Sequence, residues 1–200
     1  DGLKLIESKT STFDQTWEPV WGEVKSIRNH YNELVVTLEH IDWYQLDIRF
    51  RVYNDGVGFR YEPRSGRNTA FPLTYYEVIE EDTEFRLTGD HTAFWIPGAY
   101  DSNEFAYETT KLSDIHALTC NGSGIGTNKI VGDKTIQSPV MLKSDDGLYI
   151  NIFEAALVDY PAMMLDVDTQ NGYCLTSHLV PGATHAVAYM QEPSVTPWRT

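Results

Sequence analysis

The stretch "LDIRFRVYNDGVGFRYE", residues 46–62, decides the fold class. Leu46, Ile48, Phe50 and Val52 alternate with Asp47, Arg49, Arg51 and Tyr53, the period-two pattern of a strand that turns one face toward a core. Asn54-Asp55-Gly56 then supplies a turn, and Val57, Phe59 and Tyr61 resume the alternation, so the segment predicts a β-hairpin. Working outward, "NELVVTLEH", "TEFRLTG", "TAFWIP", "GLYINIF", "GYCLTSHL" and "THAVAYM" repeat the short-strand pattern. Turn residues separate them at Asp90, Pro97, Asp145-Asp146-Gly147, Asn171-Gly172 and Pro181-Gly182. No segment sustains a 3.6-residue apolar stripe, so the expectation is an all-β, antiparallel sandwich with few short helices.

The chain has 200 residues, a length that one β-sandwich domain commonly fills, and residues 1–200 are read as a single domain. Its 42% hydrophobic and 12% aromatic content, with mean hydropathy −0.35, is globular composition and excludes wholesale disorder. Lys+Arg 15 against Asp+Glu 29 gives a formal charge of −14, a field that repels phosphate backbones and anionic lipid; neither nucleic acid nor membrane is expected as a partner. The acidity suits cations or neutral substrates, and it also serves solubility. No apolar run approaches the ~18 residues that would cross a bilayer. The chain opens on "DGLKLIES" without an initiator Met and stops at "TPWRT", and both ends read as cuts in a longer polypeptide.

Several motifs offer chemistry. Cys120 and Cys174 lie far apart and read as two small buried thiols, with one bridge left open. The Gly-rich "NGSGIGTNK", within the loop expected over 119–134, lacks phosphate-loop spacing, and Asn121-Gly122-Ser123 is formally a glycosylation sequon. Asp166 and Asp168 stand two apart as in calcium loops, but Asn171-Gly172 as a hairpin turn explains the segment more simply. Six histidines are scattered singly, without zinc-ligand spacing, and no G-x-S-x-G elbow nominates a nucleophile.

In "HTAFWIPGAYDSNEF", Trp95 reads as core, whereas Tyr100, Asp101, Asn103 and Glu104 form a loop suited to stacking on a sugar ring and bonding its hydroxyls, or to plain solvation. Glu154, in "NIFEAALVDYPAMML", is the odd residue. It continues the phase of Leu148, Ile150 and Ile152, so an uninterrupted strand aims its carboxylate at the core. An unpaired buried carboxylate costs several kcal/mol, which calls for protonation, a metal, a strand end reached by water or another domain, or an arginine such as Arg49 or Arg60.

Five segments in order, "QTWEPVWGEVKSIRNHYNEL", "IRFRVYNDGVGFRYE", "EDTEFRLTGDHTAFWIPGAYDSNEFAYE", "GLYINIFEAALVDYPAM" and "TPWRT", resemble the N-terminal domain of glycoside hydrolase family 97. The resemblance implies a β-super-sandwich related to galactose mutarotase, which packs on a C-terminal (β/α)8 catalytic barrel. It further implies a non-catalytic domain of a calcium-dependent, exported, periplasmic glycosidase acting on oligo- or disaccharides with α-glucoside or α-galactoside linkages. In it, Glu154 corresponds to a calcium ligand and Asp159, beside Tyr160-Pro161, is structural. Both catalytic carboxylates would lie in the barrel, so these 200 residues alone are expected to be inactive, and the first strands of the sandwich are expected to be missing too. The competing expectations are a stand-alone carbohydrate-binding module using the Tyr100 loop and a domain that only braces a neighbour.

Overall fold

A computed structural model describes residues 2–40, 44–65, 74–120 and 129–200. In chain order the strands are β1 (Leu3–Trp17), β2 (Ile27–His40), β3 (Tyr44–Val52), β4 (Val57–Ser65), β5 (Tyr75–Val78), β6 (Glu84–Leu87), β7 (Thr92–Trp95) and β8 (Glu108–Lys111). They continue with β9 (Thr135–Gln137), β10 (Val140–Lys143), β11 (Tyr149–Ile152), β12 (Glu154–Ala155), β13 (Met163–Asp168), β14 (Tyr173–Leu179), β15 (Ala188–Gln191) and β16 (Trp198–Arg199). Among the described residues the only helical turns are two short 3-10 segments, Leu112–Asp114 and Ala117–Thr119, and the pairings are antiparallel, as the alternation requires. The chain falls into two compact units, Asp1–Tyr76 with Met190–Thr200, and Glu77–Tyr189.

The first unit is a meander, β1-β2-β3-β4, with β16 added against β4. The predicted hairpin of residues 46–62 is present, with Phe50 opposite Phe59 and Ile48 opposite Tyr61. Its faces differ from the expectation. Gln45 and Asp47 are buried, whereas Leu46, Ile48 and Phe50 are only half-buried. The polar face is covered because its charges lie flat on one another. Arg49 binds Glu62 through Nε and Nη2, at 2.7 and 2.9 Å, and Glu33 through Nη1 at 2.7 Å. Arg51 shares Glu33, and Arg60 shares Glu62. Burial alone would raise the Glu62 carboxyl, but the hydrogen bonds of Arg49 and Arg60 outweigh it and hold it below the usual carboxylate range. Arg51 also stacks between Tyr31 and Trp198, at 4.4 and 4.6 Å, and Arg60 lies 4.6 Å from the same indole, which ties β16 to the meander.

The second unit is a two-sheet sandwich. One sheet runs β11-β10-β7-β8 and the other β6-β14-β13-β9. A single apolar cluster draws from both: Ala93 and Trp95 on β7, Val140 and Leu142 on β10, and Ile152 on β11 meet Ile136, Met163, Leu165, Val167, Leu175 and Leu179 from the other sheet. Trp95 is core, as expected, and its indole N–H donates to Thr110 Oγ1 at 3.0 Å. Asp168 closes the β13-β14 turn by accepting the Gln170 N–H at 2.8 Å, and Gly172 takes φ +95°, so the hairpin-turn reading of "DVDTQNGY" holds. Cys120 and Cys174 are both free thiols.

Candidate functional site

Glu154 opens β12, just past the end of β11. Its phase is as read: Ile152 is buried, Ile150 and Glu154 are half-buried, and their neighbours Tyr149, Asn151 and Phe153 are exposed. Leu148, expected on the same face, lies instead in the exposed turn that Ser144 organises by accepting the Leu148 N–H on its hydroxyl at 2.9 Å. The carboxylate is thus carried to a strand end, one of the outcomes that its chemistry demands. There Glu154 Oε2 accepts the backbone N–H of Met163 at 2.9 Å, bridging the loop 156–162 to the start of β13. That loop is sharply folded, with Ala156 at φ +56° and Asp159 at φ +51°. An alanine in the left-handed region costs roughly 1–2 kcal/mol, so the turn directly behind Glu154 is imposed by its surroundings. Arg49 and Arg60, the arginines that sequence offered as partners, are engaged with Glu33 and Glu62.

The predicted contact loop is held by a chain of polar groups from the second unit. Tyr100, 44% exposed, places its hydroxyl 3.1 Å from His178 Nε2. His178 Nδ1 donates to Asp166 Oδ2 at 2.9 Å, and Thr135 Oγ1 donates to Asp166 Oδ1 at 2.5 Å. The bond to Asp166 raises the imidazole above the ordinary histidine range against the effect of burial. Asp101, Asn103 and Glu104 are exposed on the same loop, where the Glu104 N–H donates to Ser102 Oγ at 3.0 Å. Sequence named Tyr100 but not His178, Asp166 or Thr135 as its supports.

A cleft of about 460 Å³, not foreseen from sequence, is lined by Trp95, Glu108, Thr110, Asp114, His116 and Cys120, among others. His116 Nδ1 lies 3.0 Å from Asp133 Oδ2, and this bond together with the Leu118 N–H lowers the Asp133 carboxyl. Burial, followed by the charges of Glu108 and Asp133, pushes the Cys120 thiol up. The Gly-rich segment and sequon over 121–128 lie outside the described residues. Among the described residues no group of three or more His, Cys, Asp or Glu side chains is placed to hold a metal ion.

The described residues thus define an antiparallel all-β chain, with the Glu154 carboxylate set at a strand end. The family model of the glycosyl-hydrolase 97 N-terminal domain matches residues 1–200, and the chain belongs to that family. It is 22% identical over 224 residues to a retaining alpha-galactosidase of Bacteroides thetaiotaomicron, covering 100% of this chain and 30% of that protein. A glycoside hydrolase family 97 enzyme from Pseudoalteromonas sp. strain K8, solved in complex with acarbose, superposes with a TM-score of 0.80 at 28% identity, covering 100% of this chain and 27% of the other. A beta-arabinopyranosidase shares the fold at TM-score 0.74 and 22% identity, covering 98% of this chain and 31% of the other. The chain therefore spans less than a third of each of these proteins.

Proposed function

We propose that the chain is the non-catalytic N-terminal domain of a calcium-dependent, periplasmic glycoside hydrolase acting on α-glucosides or α-galactosides. In this reading it packs on a (β/α)8 catalytic barrel supplied by a longer polypeptide, and Glu154 is its contribution to the calcium site. The observation that carries it is the setting of Glu154 in a chain whose whole length matches the family: a half-buried oxygen donor at a strand end, aimed by Met163 and by the strained turn at Ala156. Calcium takes six to eight oxygen ligands, and a carboxylate fits that preference. When bound, the ion would orient the substrate and polarise its oxygen. The chain's own residues hold the carboxylate in place and brace the loop behind it.

Glu154→Gln tests the assignment with little risk to the fold, because the amide oxygen can still accept the Met163 N–H. In the full-length enzyme the calcium affinity should fall about tenfold or more; unchanged affinity and activity in a calcium titration would reject Glu154 as a ligand. The 200 residues alone should not cleave a nitrophenyl α-glycoside. A second reading, a stand-alone carbohydrate-binding module, draws on Tyr100, whose exposed ring and anchored hydroxyl suit a sugar face beside Asp101, Asn103 and Glu104.

A further inference from the structure

Beyond the sheet of the first unit, β1 and β2 continue as a two-stranded arm. Among the described residues, β3 pairs with β2 from Asn32 to His40, whereas Ile27 through Tyr31 pair with Phe13 through Trp17 alone. The arm extends roughly 17 Å at about 3.4 Å per residue, and the connection 18–26 forms its tip. That tip bares apolar side chains between the exposed charges of Glu18, Glu23 and Lys25. Val20 and Trp21 are 101% and 89% exposed, and Trp17 and Val24 about half exposed. A two-stranded ribbon is marginal in water, and two tryptophans on a projecting tip are the residue type that dominates docking energetics.

The chain's last residues lie at the same end of the sheet. Arg199 pairs with Phe59, and Thr200 Cγ2 sits 3.1 Å from where a Cβ on Gly58 would stand. Gly58 follows the β3-β4 turn at once, and Tyr53 of that turn packs on Tyr31 at the root of the arm, with ring centroids 5.4 Å apart. Polypeptide continuing past Thr200 would thus emerge beside the arm. About 70% of the length of two relatives lies outside the matched part, enough for a further domain, since this chain covers 27% and 30% of them.

We propose that the arm is a clasp: its tip, through Trp17, Val20, Trp21 and Val24, docks in an apolar groove on the domain that follows Thr200 in the same polypeptide. The inference rests on the reading under Proposed function that such a domain follows, and it adds which surface of this chain holds it. A tip-to-tip pairing of two copies is disfavoured, because it would bring the Glu18 and Glu23 carboxylates of both chains together in a protein already at −14.

The test uses the full-length protein with the photocrosslinker p-benzoylphenylalanine in place of Val20, a fully exposed position where the change does not disturb a core. The expected product is an intramolecular crosslink, at monomer mass, to a peptide C-terminal of Thr200. Crosslinks between copies, crosslinks confined to residues 1–200, or none at all would overturn the proposal. In parallel, Trp21→Ala with Val20→Ser should accelerate amide exchange over residues 13–31 at least tenfold while β13 and β14 exchange as before; unchanged exchange in the arm would also overturn it. Calcium binding through Glu154 and glycosidase activity are measured on the same samples, so loss of the clasp with both intact counts against this inference alone.

Discussion

Replacing Asp166 by Asn keeps the shape of the side chain and an acceptor for Thr135 while removing the charge that faces His178. In the native chain the Asp166 hydrogen bond raises the imidazole above 6.5, opposed by burial. Burial would raise the Asp166 carboxyl, but the bonds from His178 and Thr135 outweigh it and hold it below 3.8. A histidine raised by folding contributes stability that is fully present below its unfolded pKa and is lost as pH rises through its folded value. A depressed aspartate contributes stability present above its unfolded pKa and lost as pH falls through its folded value. The pair is therefore most stabilising between about pH 4 and pH 6.5 and fades above the folded pKa of His178. The two side chains are 28% and 48% exposed, so solvent screens them, and the pair is worth roughly 0.5–1 kcal/mol. For a chain of this length that amounts to about 1–4 °C in Tm. Thermal unfolding of Asp166→Asn should show this loss in full at pH 5.5 and a smaller loss at pH 8.5, where the His178 charge is gone and the hydrogen bonds to Asp166 remain, and the ring protons of His178 should titrate at lower pH by NMR. An equal loss of Tm at both pH values, or an unmoved His178 midpoint, would refute the reasoning.

Two further substitutions probe the packing. At Gly98 an added Cβ would stand 2.8 Å from Thr135 Cγ2 and 3.2 Å from both Met164 Sδ and Thr135 O, while the Gly98 N–H is tied to Thr135 O at 2.8 Å; Gly98→Ala should cost about 1–3 kcal/mol, read as a lowered urea midpoint, and an unchanged midpoint would contradict the contact. Trp198→Ala removes the ring shared by Arg51 and Arg60 and should cost about 1–2 kcal/mol at two cation–π contacts, with a wild-type midpoint in the same denaturation assay as the contrary result.

The hairpin of residues 46–62 was legible because side chains on a strand alternate, and that geometry needs no knowledge of the rest of the molecule. Which of its faces would be covered was not, because Arg49, Arg51 and Arg60 are desolvated by Glu33 and Glu62 from neighbouring strands, a pairing that exists only once the register is set. The longest strand, β1, went unread: "LKLIESKTSTFDQTW" has little sustained alternation and a register shift between Leu5 and Glu7, so pairing with β2 makes it a strand rather than its own pattern. Glu154 announced itself by being charged in an apolar phase, but only the fold shows Met163 as the group that aims it. Tyr100 and His178 are 78 positions apart, and no local spacing could have joined them.

The acidic surroundings of Cys120 bear on how the protein tolerates oxidants. Thiol oxidation and disulfide exchange proceed through the thiolate, and burial with Glu108 and Asp133 nearby keeps that fraction small. With Cys174 buried in another part of the sandwich, neither sulfur is a ready nucleophile toward a second chain. The restraint on the Cys120 thiolate comes first from burial and then from charge placement, and it needs no disulfide.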